Sequence, residues 1–160
     1  MKELKDMPGH SRLWVYTCNQ PIEGELKTQI ESEMKSFIAG WSSHGATMNA
    51  LAEVVNKFFL IIALDESSAG ASGCGIDKSV KKIQELEHKF GIQLLNRQLV
   101  VFENEGTQKV PLHQFWAMRK AGLINGNTLV YNSLVKNVAE YKEAWCIPFD
   151  LSWHKDMWGR

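Results

Sequence analysis

The sequence has little cysteine, no long apolar run and no excess of charge. Its three cysteines, Cys18, Cys74 and Cys146, form no C-x-x-C pair, which argues against a disulfide framework and against a thiolate zinc site. The longest apolar run, residues 58–64, is far shorter than the roughly 20 residues that span a bilayer. The polar first residues contain no signal-peptide core. We therefore expect reduced thiols, a cytoplasmic location and no insertion into a membrane.

Positive and negative charges balance, with 18 lysines and arginines against 18 aspartates and glutamates. A chain without net charge has no global field that concentrates nucleic acid, so nucleic acid is not an expected partner. No repeat, low-complexity segment or linker interrupts the sequence. A chain of 160 residues is long enough to bury roughly two-thirds of its unfolded surface, and we expect a single domain over residues 1–160.

The spacing of apolar residues predicts the secondary structure. Strands are expected at residues 13–17, 51–55, 57–64, 98–102 and 108–110. Helices are expected at residues 21–40, 76–90, 113–121 and 138–145, and residues 127–132 are either a short strand or an extended loop. The order strand, helix, strand, strand, helix, strand is the split βαβ plan of ferredoxin-like folds. We therefore predict an α+β fold with a largely antiparallel sheet, a βαββαβ core and C-terminal helical additions.

The stretch that says most about function is a loop of small residues from Asp65 to Asp77. Three glycines and three serines lie within residues 67–75. Small residues after a strand let a ligand approach the backbone, and the N–H groups at the start of the next helix favour an anion or a carbonyl oxygen. We expect this loop to bind a small anionic or carbonyl ligand, or a peptide segment, through Ser72, Gly73 and Gly75.

The loop lacks the signatures of the nucleotide-binding motifs. Gly70 and Gly75 have the separation of the P-loop pattern G-x-x-x-x-G-K-[ST], but Ile76 and Asp77 stand where the lysine and the hydroxyl are required. The glycine spacing of the dinucleotide fingerprint is missing as well. We expect Asp77 to act as the N-cap of the following helix, and we expect no cofactor.

Several blocks along the chain point to a known family. They are His44-Gly45, Asp65 with Ser67, residues 71–77, residues 127–132 and Ser152-Trp153-His154. In these blocks the chain resembles a family of short bacterial proteins that are often labelled "ABC transporter ATPase" although they lack a Walker A P-loop. The resemblance spans most of the chain. It implies no catalytic residue and no mechanism.

A second hypothesis is a thiol-dependent enzyme that uses Cys74 as its nucleophile. A helix N-terminus favours the thiolate, and a histidine backed by an aspartate can accept the proton. The chain offers His44 after the first helix and Asp65 at the end of the central strand. We therefore consider Cys74, His44 and Asp65 as a candidate catalytic set, against the alternative that the cysteine only packs. No metal site is expected, because its ligands would have to come from distant segments.

The C-terminal segment is rich in aromatic residues, and Trp153, Met157 and Trp158 would expose a large apolar surface unless they pack. Since Pro148 stops the preceding helix, the segment can turn back over the body of the protein. We expect Trp153 and His154 to help close a pocket whose floor is the small-residue loop. A third hypothesis, a non-catalytic interaction module that forms a homodimer through Trp153 and Trp158, explains the segment without a ligand.

The missing P-loop residues predict that the protein does not hydrolyse ATP by P-loop chemistry. Purified protein incubated with ATP and magnesium is expected to release no phosphate above the level of a buffer control. Sustained phosphate release that is abolished by changing Gly73 or Lys78 would contradict this expectation.

Overall fold

The structure is organised around a strand that is buried on both faces. The computed structural model describes residues 2–43, 46–67 and 70–158. The strands in this part of the chain are β1 (Arg12–Thr17), β2 (Ser42–Ser43), β3 (Ala46–Thr47), β4 (Asn49–Val55), β5 (Phe59–Asp65), β6 (Leu99–Glu103), β7 (Thr107–Pro111), β8 (Leu129–Tyr131) and β9 (Cys146–Pro148). The helices are α1 (Gly24–Gly40), α2 (Gly73–Phe90), α3 (Leu112–Lys120), α4 (Val138–Ala144) and α5 (Trp153–Met157).

The first sheet has three antiparallel strands in the order β1, β5, β4. Strand β5 lies in the middle, and its residues from Phe59 to Leu64 are at most 1% exposed. Strands β4 and β5 form a hairpin whose turn contains Asn56 and Lys57, both with positive φ. Positive φ at two successive residues is typical of the tight turns that match the twist of a hairpin. The predicted junction between these two strands is therefore confirmed.

The two faces of β5 serve two different layers, because side chains alternate along a strand. Leu60, Ile62 and Leu64 share a core with residues of α1 and α2. Phe59, Ile61 and Ala63 share a second core with residues of β6 and β8 and with the segment that ends in α4. The order of the layers is thus two helices, the first sheet and then the second sheet.

The second sheet has four antiparallel strands in the order β7, β6, β8, β9. Its inner face contributes Val101 and Tyr131 to the core that it shares with the first sheet. Its outer face carries Val100 and Phe102, which pack with residues of α3 and the C-terminal segment. A third core therefore lies beyond the second sheet.

The α+β class and the antiparallel pairing are confirmed, but the ferredoxin-like arrangement is not. Strands β1, β4 and β5 with α1 have the expected order of a split βαβ unit. The fourth strand of that plan is β6, which would pair with β1. Instead β6 pairs with β7 and β8. Because Val101 packs over the face of β5, the second sheet lies on the first sheet and does not extend it.

Helix α2 begins earlier than expected, and the prediction that Asp77 is its N-cap is wrong. The N-cap is Ser72, whose Oγ accepts a hydrogen bond from the N–H of Gly75 at 3.0 Å. The carbonyl of Gly75 in turn accepts a hydrogen bond from the indole N–H of Trp41 at 2.9 Å. A Cβ at Gly75 would lie 2.9 Å from Cε of Met48, so a side chain at this position would require the end of Met48 to move. Tertiary packing fixes the first turn, and Asp77 is left exposed within the helix.

Among the described residues, none of the helices combines the length and the apolar character that crossing a membrane requires.

Replacing Ser72 with alanine is expected to lower the free energy of unfolding by about 1 kcal/mol, because the N–H of Gly75 loses its acceptor. Urea denaturation of the two proteins measures this difference. The matched control is Asp77→Ala, which is expected to stay within about 0.5 kcal/mol of wild type because Asp77 is exposed and caps nothing. A larger loss in the Asp77 variant than in the Ser72 variant would contradict the assignment.

Candidate functional site

A cavity of about 530 Å³ runs along the outer edge of β1, on the side away from β5. Five consecutive residues of β1, Leu13 to Thr17, line it. Consecutive residues of a strand point to opposite faces, so a cavity that all five of them line must lie beside the edge of the strand. The volume is within the range of ordinary ligand pockets.

The backbone of β1 faces this cavity with unpaired groups. The N–H of Leu13 donates outward to the carbonyl of Lys136 at 3.0 Å, whereas the N–H of Cys18 donates to the carbonyl of Phe58 on the β5 side at 2.7 Å. Because the direction alternates along a strand, the N–H and C=O groups of Val15 and Thr17 also point outward. In the described part of the chain, no backbone partner is found for the N–H groups of these two residues.

The open stretch of the edge is bounded at both ends by chain that is already bonded to it. At one end, the segment around Lys136 contacts Leu13, and Arg12 forms a bridge with Asn137. Just beyond the other end, the N–H of Asn19 donates to the carbonyl of Gln93 at 3.1 Å. Between these contacts, the segments around Lys136 and Gln93 lie farther from β1. They form the two walls of the cavity.

The walls are largely apolar. Two exposed leucines, Leu95 and Leu134, lie on opposite segments of the wall. The start of α2 and the C-terminal segment complete the lining. Together with the two walls they contribute Ile76, Val80, Leu94, Leu95, Asn96, Arg97, Leu99, Ser133, Leu134, Val135 and Trp153. The cavity thus combines a polar backbone edge with apolar side walls.

The C-terminal segment packs on the body as expected, and Trp153 lines the cavity. Its ring stacks on that of His154 with 3.8 Å between the centroids, and its buried Nε1 has no hydrogen-bond partner among the described residues. Trp158 packs against Trp116 with 5.5 Å between the ring centroids. Of the two tail residues that we predicted to close a pocket, Trp153 is therefore in the lining.

His154 lies behind Trp153 and outside the lining. It is 1% exposed, and its Nδ1 lies 2.6 Å from Oγ of Ser152. Burial lowers its pKa from about 6.5 to about 4, so the imidazole is neutral in the folded protein near neutral pH. We conclude that His154 supports Trp153 and does not itself face the cavity.

Two of the three predicted ligand-binding residues of the small-residue loop have structural roles. Ser72 caps α2, and Gly75 provides the space in which Trp41 and Met48 contact the helix. Apart from its chain neighbours and the nearby backbone of its own helix, no described atom lies within 4 Å of the position of a Cβ at Gly73. None of the three lines the cavity along β1, which the loop's helix reaches through Ile76 and Val80.

The candidate catalytic set is described only in part, because His44 lies outside the described residues. Cys74 is exposed in the first turn of α2. Asp65 bonds to other groups, since its Oδ1 accepts from Ser67 Oγ at 2.6 Å and lies 3.0 Å from Nε2 of His10. The bonds from Ser67, and then the contact with His10, lower the pKa of Asp65 to about 2. In the described part of the chain no hydrogen bond joins Cys74 to Asp65, and the thiol mechanism stays a prediction.

The cluster of Asp65, Ser67 and His10 does not form a proton relay. The same imidazole nitrogen of His10 contacts both Oδ1 of Asp65 and Oγ of Ser67. A relay requires the two partners to bond to the two different nitrogens of the ring. Within residues 2–43, 46–67 and 70–158, no three histidine, cysteine, aspartate or glutamate side chains are grouped so that they could hold a metal ion.

Comparison of the chain with protein-family models, with curated proteins and with solved structures finds no match. The resemblance to the short bacterial family stays a prediction.

The buried state of His154 predicts a loss of stability in mild acid. The unfolded chain takes up the proton below about pH 6.5, whereas the folded protein takes it up only below about pH 4. The free energy of unfolding therefore falls as the pH drops through this window, by at most about 3 kcal/mol, and it is highest above the window. Urea denaturation at several pH values measures the decline.

The control is His154→Asn, which keeps a polar side chain beside Ser152 but does not titrate in this window. Its stability is expected to decline less than that of wild type between pH 6.5 and pH 4. Parallel curves for the two proteins would show that His154 does not carry the effect.

Proposed function

We propose that the protein binds an extended polypeptide segment by adding it as a strand to the outer edge of β1. The observation that carries this proposal is the open edge, where Val15 and Thr17 direct backbone groups into the cavity. Addition of a strand satisfies such groups with main-chain hydrogen bonds, and neighbouring pockets select the side chains. The protein is in this view a binding module.

The dimensions of the edge suit a short peptide. The open stretch lies between Leu13 and Asn19, both of which bond outward to neighbouring chain. A strand rises about 3.4 Å per residue, so about five residues of an extended peptide fit along it. The apolar walls on both sides would contact the alternating side chains of that peptide.

A peptide is favoured over the small anionic or carbonyl ligand that the sequence left as alternatives. An anion at the start of α2 would bind to free N–H groups, and one of these, the N–H of Gly75, is already bonded to Ser72. A peptide brings both the donors and the acceptors that an open strand edge requires.

The proposal is tested with decapeptides selected from a random displayed library on the immobilised full-length protein. A peptide that binds as a strand alternates between backbone N–H groups that bond to β1 and N–H groups that do not. N-methylation of the bonding set is expected to weaken binding about tenfold or more, since each lost hydrogen bond contributes about 1 kcal/mol. N-methylation of the other set is the matched control and is expected to change binding little.

Hydrogen exchange on the protein gives an independent readout. The selected peptide is expected to slow exchange of the Val15 and Thr17 amides. The N–H of Ala52 on β4, which faces outward at the opposite edge of the same sheet, provides the internal control and should not change. A library that yields no binder, or binders that leave Val15 and Thr17 unprotected, would overturn the proposal.

A further inference from the structure

The cavity along β1, called the groove from here on, is lined by charge of one sign. Of the described residues that line it, Arg97 is the one with a charged side chain, and no described aspartate or glutamate contributes to the lining. Some other cations of this chain have carboxylate partners, as Lys82 and Lys89 do with Glu33. Among the described residues, Arg97 makes no ion pair and no hydrogen bond through its side chain, and it is exposed. Its guanidinium is thus available to a carboxylate.

Arg97 lies toward one end of the groove. It is close enough to Tyr16 for its charge to act on the phenol. In the sequence it also lies shortly after Gln93, whose carbonyl accepts a hydrogen bond from Asn19 just beyond β1. Both observations place the guanidinium beside the C-terminal half of β1.

The opposite end of the groove is apolar. The wall formed by residues 133–135 directly precedes Lys136, which bonds to Leu13 at the N-terminal half of β1. Leu134 in this wall is 58% exposed, so its side chain is accessible to a partner. A groove with a cation at one end and an exposed leucine at the other distinguishes the two ends of a peptide.

We infer that the segment bound along β1 carries an acidic side chain, which pairs with Arg97, and an apolar side chain, which contacts Leu134. This inference rests on the proposed binding of an extended peptide. Leu134 lies near the level of Leu13 and Arg97 near the level of Tyr16, so the two peptide side chains lie about 10 Å apart along the peptide, or about three residues.

Two displayed decapeptide libraries test the charge preference, one with glutamate and one with lysine fixed at the central position. Selection on the wild-type protein is expected to favour the glutamate library. Synthetic copies of the selected glutamate peptides should bind about fivefold more tightly than their glutamine counterparts, which is the effect of one exposed charge pair. The difference should shrink as the salt concentration rises.

Reversal of the charge on the protein gives the sharper measurement. Arg97→Glu is expected to shift the preference from the glutamate library to the lysine library, and Arg97→Gln is expected to abolish the preference. Lys78→Glu is the matched control, since it changes the net charge by the same amount from an exposed position of α2 outside the lining. The control should retain the preference of wild type.

The outcomes separate this inference from the proposal on which it rests. If both libraries yield binders that protect Val15 and Thr17 from exchange, and Arg97→Glu leaves their ratio unchanged, the charge preference is wrong and the peptide site stands. If neither library yields such binders, both are wrong. If Val15 and Thr17 become protected with rising protein concentration alone, together with a doubled mass, the occupant is a second copy of this chain and both are wrong.

Discussion

The burial of β5 on both faces is the constraint on which the rest of the structure depends. A strand with no exposed face needs a layer on each side, and its neighbours β1 and β4 complete its hydrogen bonds. The helices α1 and α2 cover one face, and the second sheet covers the other. The open edge of β1 follows from which parts of the chain form these two layers.

The groove exists because β6 belongs to the sheet that covers one face of β5 and does not extend the first sheet. In a ferredoxin-like fold this strand would bond to the outer edge of β1 and fill the space. Here it joins a separate sheet, and among the described residues the outer edge of β1 pairs through the short contact at Arg12 and Leu13. Natural proteins usually cover or block such edges, since an open edge recruits another strand. An open edge that lines a cavity is therefore consistent with a binding role.

The glycines and serines of the small-residue loop serve the packing of α2. Glycine at position 75 lets the backbone of α2 approach Trp41 and Met48, and the serine at position 72 satisfies the exposed start of the helix. These contacts orient α2, which presents Ile76 and Val80 to the groove. The loop thus contributes to the proposed site by positioning a helix.

The sequence by itself determined the longer elements, because their signals are local: apolar periodicity placed the longer strands and helices, and a turn signal at Asn56 and Lys57 placed a hairpin. The short β2, β3 and β9 and the C-terminal α5 had no such signal. The aromatic tail also indicated that Trp153 packs near a pocket. Only the tertiary structure decided that β6 leaves the outer edge of β1 open, that Ser72 and not Asp77 caps α2, and that Arg97 faces the groove. Strand partners, helix starts held by distant side chains, and the surroundings of an exposed arginine all depend on residues far apart in the chain, and a local pattern does not encode them.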